Sequence, residues 1–216
     1  MTGIIFTGGS YGEKNFYRHL LAAYPEAVVV AADSGAAFLD SLGVVPQVML
    51  GDMDSMPGEV LKKYRALGVP EERHPTHKDE TDTELAVTWC LGQGMTQIIL
   101  CGATGSRIDH SYSNLFLLNR LLKLGVRARL VDPVNEVFLV EDRCVLKEKV
   151  GTTVSVLAFT DEARGINLMG FEYPVKDGTM AHVLAGYGVS NVTVSPEAEI
   201  SVAEGVLLVD IVRKKV

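Results

Sequence analysis

The stretch QIILCGATGSRIDH, residues 97–110, runs from an apolar strand-like segment through a turn containing Gly102 and Gly105 into the start of a long apolar segment. A short apolar run, glycine punctuation and then helical spacing form half of a βαβ unit, with the strand covered on both faces and the loop at its carboxyl end left to meet a ligand. The same form recurs outward from it. Gly3 to Phe6, Ala27 to Ala32, Gln47 to Leu50 and Arg129 to Val131 are further short apolar runs. Lys14 to Tyr24, Ala36 to Leu42, Pro57 to Leu67 and Asp82 to Leu91 are the longer amphipathic stretches between them. This alternation predicts an α/β fold with a Rossmann-like parallel sheet. Ile108 to Leu124 is apolar almost all round, which predicts a helix buried between layers or set at an interface, stopped by Gly125.

Beyond about residue 133 the pattern changes. Glu136 to Val140, Thr152 to Phe159, Asn191 to Val194 and Val206 to Val212 are β-rich runs broken by Gly and Asp, with no convincing helix. Two domains are expected, an α/β domain over residues 1–133 and an all-β sandwich over 134–216, with the boundary near Asp132-Pro133-Val134-Asn135.

With 216 residues and 47% hydrophobic content the chain can bury a sizeable core. A net charge of -7 argues against a nucleic-acid surface, because phosphate backbones are held by an excess of Lys and Arg. A phosphate ligand is compatible with that charge only if divalent metal and a few placed cations offset it locally. Cys90, Cys101 and Cys144 stand apart with no CxxC pair, so reduced, buried thiols are expected. No basic segment leads into a long apolar one at the N-terminus, and no window reaches the ~18 apolar residues of a membrane span. The expected location is cytoplasmic.

Three loops should share the carboxyl rim of the sheet: Asp33-Ser34-Gly35, Gly51-Asp52-Met53-Asp54-Ser55, and Gly102 to His110. If the chain stays extended through Asp52 and Asp54, their carboxylates project together from Cα atoms about 7 Å apart. Repulsion between them favours a cation, and magnesium suits such oxygen donors, although an Asp-rich turn accounts equally for the pattern. Lys78-Asp79-Glu80-Thr81-Asp82-Thr83-Glu84 contains a capping box, Thr81 with Glu84, which leaves Lys78 and Asp79 outside the helix it opens and Asp82 facing either the helix dipole or a metal. Gly102 to Asp109 is suited to presenting N–H groups to phosphate, with Arg107 as a cation, but is not a Walker loop and reads equally as a salt-bridged helix start. Thr7-Gly8-Gly9-Ser10 is either a phosphate cradle or a flexible turn.

Taken jointly and in order, Gly51 to Ser55, Lys78 to Asp82 and Gly102 to His110 closely resemble the motifs of the thiamine pyrophosphokinase (thiamin diphosphokinase) family. Gly170-Phe171-Glu172-Tyr173-Pro174 and Gly188-Val189-Ser190-Asn191 resemble its thiamine-side segments. The resemblance implies an ATP:thiamine diphosphotransferase, which moves the pyrophosphoryl group of ATP to the hydroxyethyl oxygen of thiamine and leaves AMP. It implies Mg2+, ATP as co-substrate, and a homodimer with each thiamine site between subunits. By position, Asp52, Asp54, Asp79 and Asp82 would hold magnesium, Arg107, Thr104 and Gly105 would touch the triphosphate, and Asp109 would lie near the attacking hydroxyl. Tyr173 would stack on thiamine, where an aromatic face suits a cationic ring, and Ser190 and Asn191 would line the same pocket. Asp33, Lys78, Thr81 and Ser106 complete the implied binding set.

Two departures stand out. The family's usual D-G-G-A-N reads Asp33-Ser34-Gly35-Ala36-Ala37 here, and Met53 replaces a more usual Phe. Three other readings stay open: a pyrophosphokinase for another alcohol such as a hydroxymethyl pterin, a non-catalytic thiamine or nucleotide sensor, and a phosphatase using D-x-D, for which the D-x-D-x-[TV] signature is missing.

Overall fold

The computed structural model describes residues 1–54, 56–73, 80–184 and 186–213. Its contacts divide the chain into two compact units, Met1–Pro133 and Val134–Val216.

The first unit runs β1 (Thr2–Phe6), α1 (Lys14–Ala23), β2 (Val28–Ala32), α2 (Gly35–Leu42), β3 (Val48–Gly51), α3 (Gly58–Ala66), β4 (Glu71–Arg73), α4 (Asp82–Gly92), β5 (Gln97–Cys101), α5 (Ile108–Lys123) and β6 (Arg127–Val131). The strands lie in the order β6-β5-β1-β2-β3-β4 and every pair is parallel. From β1 the chain builds outward to β4, then returns to the other side of β1 with β5 and β6. The order therefore reverses between β1 and β5, and a doubly wound sheet opens its ligand crevice at the carboxyl ends of such a pair.

The apolar runs form strands because both faces of the sheet are covered, so residues facing either way are buried. Ile4, Ile5 and Phe6 of β1 and Ile98 to Cys101 of β5 have no exposed surface. Burying each large apolar side chain contributes about 1.5–3 kcal/mol before the entropy of ordering is subtracted. One of the edge strands, β4, has the sequence Glu-Glu-Arg and escapes any reading by hydropathy. It is held by backbone pairing to β3, with Arg65 and Arg73 both bound to Glu71. On α5, Asn114, Leu117, Leu118 and Leu121 are buried, whereas Ile108, Tyr112 and Phe116 are exposed. Only one face of this helix is covered within the unit, so of the two placements its composition allows, burial between layers of the unit is not what forms and a place at an interface stays open.

The second unit is all β among its described residues: β7 (Asn135–Val140), β8 (Arg143–Lys147), β9 (Thr153–Ala158), β10 (Glu162–Met169), β11 (Val175–Ala181), β12 (Asn191–Val192), β13 (Glu197–Ser201) and β14 (Leu207–Val212). Antiparallel strands β12-β9-β14-β7 form one layer and β11-β10-β13-β8 the other. Burial alternates strictly along β9 and β14, as it must when one face packs and the other does not. Val154, Val156, Val209 and Ile211 of the first layer share a core with Ala163, Ile166, Leu168 and Ile200 of the second. This is the β-sandwich that follows the Rossmann-like half.

Candidate active site

A cavity of about 450 Å³ opens at the reversal point of the first unit. Thr7 to Ser10, following β1, and Gly102 to Arg107, following β5, form adjoining parts of its wall. Ala32 and Asp33 at the end of β2, Thr81 to Thr83 at the start of α4, and His110, Ser111 and Asn114 of α5 close it.

The two glycine loops are bonded to each other. The N–H of Thr7 donates to Cys101 O (2.9 Å), that of Gly9 to Gly102 O (2.9 Å) and that of Ser10 to Thr104 O (2.7 Å). The Thr7 hydroxyl also donates to Gly102 O. A Cβ at Gly9 would lie 2.1 Å from Gly102 O and 2.3 Å from Thr104 O, both main-chain atoms, so no larger residue fits between the loops. Thr7 to Ser10 is thus neither a flexible turn nor a row of open donors, since the Gly9 and Ser10 amides are consumed in fixing the wall. The Gly105 amide is likewise taken by the Ser111 hydroxyl (3.2 Å), and Asn114 Nδ2 donates to Ala103 O (2.7 Å) from a buried position.

What faces the cavity electrostatically is a pair of helix starts. In α5 the first intrahelical bond runs from Ser111 N–H to Arg107 O (3.2 Å), leaving the N–H groups of Ile108, Asp109 and His110 ahead of it. In α4, Thr81 is the N-cap and its hydroxyl accepts from Glu84 N–H (3.2 Å). The reciprocal half of the expected capping box is not made, because the Glu84 carboxylate turns to Arg120 at 2.8 Å. Two helix N-termini favour an anion in this crevice, with the Arg107 guanidinium, paired to Asp109, at its rim and the Asp33 and Asp82 carboxylates on its wall.

Of the acidic residues, Asp33 and Asp82 belong to the cavity wall. Asp33 takes a left-handed backbone (φ 53°) and donates its N–H to Leu50 O at 3.0 Å, tying the end of β2 to β3. Asp82 lies against the end of β3: a Cβ at Gly51 would sit 3.2 Å from its carboxylate carbon. Asp52 and Asp54 follow directly, but the chain between them is not extended. Met53 is buried with φ 66°, and the Asp54 N–H donates to Asp52 Oδ1 at 2.9 Å. This tight turn replaces the parallel pair of carboxylates expected from spacing, leaving Asp52 half-buried and Asp54 exposed. Lys78 and Asp79 lie outside the described residues, and among the described ones no three Asp, Glu, His or Cys side chains gather as a metal cage. The carboxylates and hydroxyls at the cavity and beside it are hard oxygen donors, the chemistry magnesium selects.

Arg107 reaches Asp109 with both arms of its fork, Nε to Oδ1 at 3.1 Å and the terminal nitrogen to Oδ2 at 2.5 Å. That bond holds the Asp109 carboxyl down to about 2, so it is ionised and acts only as an acceptor at neutral pH. Thr104, Gly105 and Ser106 stand beside this pair on the same wall.

In the second unit, Tyr173, Ser190 and Asn191 come together. Asn191 is buried and its side chain bonds both main-chain groups of Tyr173, a residue that is itself 65% exposed. Ser190 has φ 60° and donates its N–H to Ser155 Oγ at 3.1 Å.

Comparison with known proteins meets this geometry at both ends. Residues 20–130 match the family described as thiamin pyrophosphokinase, catalytic domain, and residues 143–207 the one described as thiamin pyrophosphokinase, vitamin B1 binding domain. The chain belongs to the thiamin pyrophosphokinase family. A protein of Bacillus subtilis named thiamine pyrophosphokinase is 27% identical over 202 residues, covering 91% of this chain and 93% of its own. The crystal structure of thiamine pyrophosphokinase from Bacillus subtilis superposes with a TM-score of 0.87 over all of both chains at 23% identity, a likeness of fold. That of the Geobacillus thermodenitrificans thiamin pyrophosphokinase gives 0.83 at 26% identity, covering 100% of this chain and 99% of its own.

For this thiamin pyrophosphokinase family member, several residues of the cavity were not legible beforehand. Thr83, Ser111 and Asn114 sit inside helices where side chains of their type are ordinarily solvent-facing or structural, and only the convergence of α4 and α5 turns them to one space. His110 does line the cavity, near the rim where its place in the chain put it. The Thr7 to Ser10 wall precedes residue 20, where the catalytic-domain match begins. Its signal was the glycine pair.

Proposed function

We propose that the protein is a thiamine diphosphokinase, transferring the β,γ-pyrophosphoryl group of ATP to the hydroxyethyl oxygen of thiamine to give thiamine diphosphate and AMP. The observation that carries this reading is the cavity at the β1/β5 reversal, faced by the starts of α4 and α5 and rimmed by Arg107, in a member of this family. Its test is thiamine-dependent release of AMP from ATP, with ADP as the outcome that rejects it.

In this reading Met1–Pro133 holds nucleotide and metal, and the unit beginning at Val134 holds thiamine and forms the dimer. Asp52, Asp54, Asp79 and Asp82 are the ligands of Mg2+, which when bound cancels charge on the phosphate oxygens. Asp33, Lys78, Thr81, Thr104, Gly105 and Ser106 contact the nucleotide. The thiamine oxygen bonds to the β-phosphorus as the bond from that phosphorus to the α,β-bridging oxygen breaks, and the hydroxyl proton is lost to an acceptor. Such a transfer needs in-line placement and stabilised charge more than covalent help. Arg107 supplies positive charge to the transferring oxygens. Asp109, ionised throughout the neutral range, either accepts the hydroxyl proton or only orients the hydroxyl. Tyr173 presents its face to the cationic thiazolium, with Ser190 and Asn191 beside it.

A homodimer is supported by the apolar side chains that the second unit leaves exposed on one loop, Val183, Leu184, Tyr187 and Val189. A cytoplasmic location fits an ATP-using enzyme with three free thiols, of which Cys90 and Cys101 are buried as expected and Cys144 is only half-buried, and no helix among the described residues is long and apolar enough to cross a membrane.

A further inference from the structure

We propose that Tyr11 is a positioning residue of the nucleotide cavity, locking the Thr7–Ser10 wall to the Gly102 turn through its hydroxyl and its ring. The inference rests on the reading of this cavity as the nucleotide site. Tyr11 follows the first wall directly, and its hydroxyl donates back to Thr7 O, closing the loop on itself. Its own carbonyl accepts from the Tyr17 hydroxyl at 2.7 Å, which anchors the far end of the loop to α1. Its ring reaches the adjoining Gly102 turn. Gly102 has φ 67°, and a Cβ there would lie 2.4 Å from Tyr11 Cζ, so the phenol rests on the bare α-carbon of the turn.

The ring is itself held in place. It stacks on Phe38 of α2 with centroids 3.7 Å apart and planes 6° from parallel, and meets Tyr17 edge-on at 5.4 Å. Phe38 and Tyr17 belong to helices covering the sheet, so the position of the loop is referred to the core rather than to solvent. Burial pushes the Tyr11 phenol far above its ordinary range, keeping the hydroxyl a donor at any working pH. Thr7 O and Gly102 are thus fixed by one side chain, and both residues line the cavity. Tyr11 itself is not on the cavity wall, so its effect on a bound nucleotide is transmitted through Thr7 and Gly102.

The experiment compares wild type, Tyr11→Phe and Phe38→Leu as full-length protein. Affinity for a non-hydrolysable ATP analogue with Mg2+ is measured by calorimetry, alongside KM for thiamine and Tm. Tyr11→Phe keeps the stack and loses one hydrogen bond. It is expected to weaken analogue binding about fivefold to tenfold, the equivalent of one such bond, with KM for thiamine unchanged. Phe38→Leu, which removes the ring's support and leaves the hydroxyl, is expected to weaken it in the same direction. A purely structural role lowers Tm in both variants and leaves analogue affinity at the wild-type value, and that result would overturn the proposal. Failure of wild type to form AMP would strike the reaction assignment instead, and it is visible in a separate product assay.

Discussion

Asn191 holds Tyr173 by both of its main-chain groups: Oδ1 accepts from the Tyr173 N–H at 3.0 Å and Nδ2 donates to the Tyr173 carbonyl at 2.8 Å. A single amide side chain thereby does for Tyr173 what a neighbouring strand would do, and the ring above it is left exposed yet anchored. An amide offers an acceptor and a donor at this spacing, whereas an ionised carboxylate of the same shape offers acceptors only.

Asn191→Asp keeps the size and the acceptor but replaces the donor with a carboxylate oxygen facing the Tyr173 carbonyl. Because the site is buried, the substitution is expected to cost about 1–3 kcal/mol of stability. It is also expected to raise KM for thiamine at least tenfold while KM for ATP stays within twofold. Steady-state kinetics against each substrate, with denaturant titration, checks both.

Gly9→Ala forces a methyl group against two carbonyl oxygens of the adjoining loop, which can yield only by separating the loops. ATP affinity should fall by more than tenfold. Gly92→Ala, with nothing within 4 Å of the added carbon and a helical position in α4, serves as the contrast. It should leave activity unchanged and stabilise by up to about 1 kcal/mol. Calorimetric titration and thermal melts separate the two outcomes.

The bidentate bond from Arg107 lowers the Asp109 carboxyl from its ordinary 3.8 to about 2. A carboxyl lowered on folding stabilises the folded state above its unfolded pKa, and that contribution is lost as pH falls from about 4 towards 2. Both groups are exposed, so the effect on stability is small. Its signature is instead in titration: Asp109 should give no transition between pH 4 and 8 in wild type, and in Arg107→Ala its midpoint should return towards 3.8. Side-chain carbonyl NMR over pH 1.5–6 reads both directly.

Burial pushes the Cys90 thiol up to about 12, Cys144 to about 11, and Cys101 higher still. At pH 8 the thiolate fraction of each is minute, so the native protein should react with iodoacetamide far more slowly than a free thiol does. Unfolding in guanidinium should release three fast-reacting groups, one for each cysteine in the chain. Mass spectrometry after timed alkylation counts them.

Elements whose burial follows directly from composition were legible in the sequence. β2, β3 and β5 stand where apolar runs end in glycine or aspartate, and β1 where one runs into Thr7-Gly8, because a strand covered on both faces must be apolar throughout. β4 was illegible because it is stabilised by main-chain pairing and charge, neither of which leaves a hydropathy trace. β10 and β11 were missed for a related reason: Gly165 and Gly178 interrupt them, and their register shifts at a bulge near Ile166. In the site, the glycine and acidic loops were visible as loops, but not how they fold. The turn at Met53 depends on a left-handed backbone, and the sealing of Thr7–Ser10 against Gly102–Thr104 depends on contact between segments some 95 residues apart. Tyr11 carried no motif at all.

The most direct measurement follows both transferred phosphorus atoms. In a single turnover with ATP labelled separately at the β and γ positions, plus Mg2+ and thiamine, both labels should arrive together in thiamine diphosphate, and AMP should carry neither. Movement of the γ label alone, with the β label retained in ADP, would contradict pyrophosphoryl transfer by this cavity.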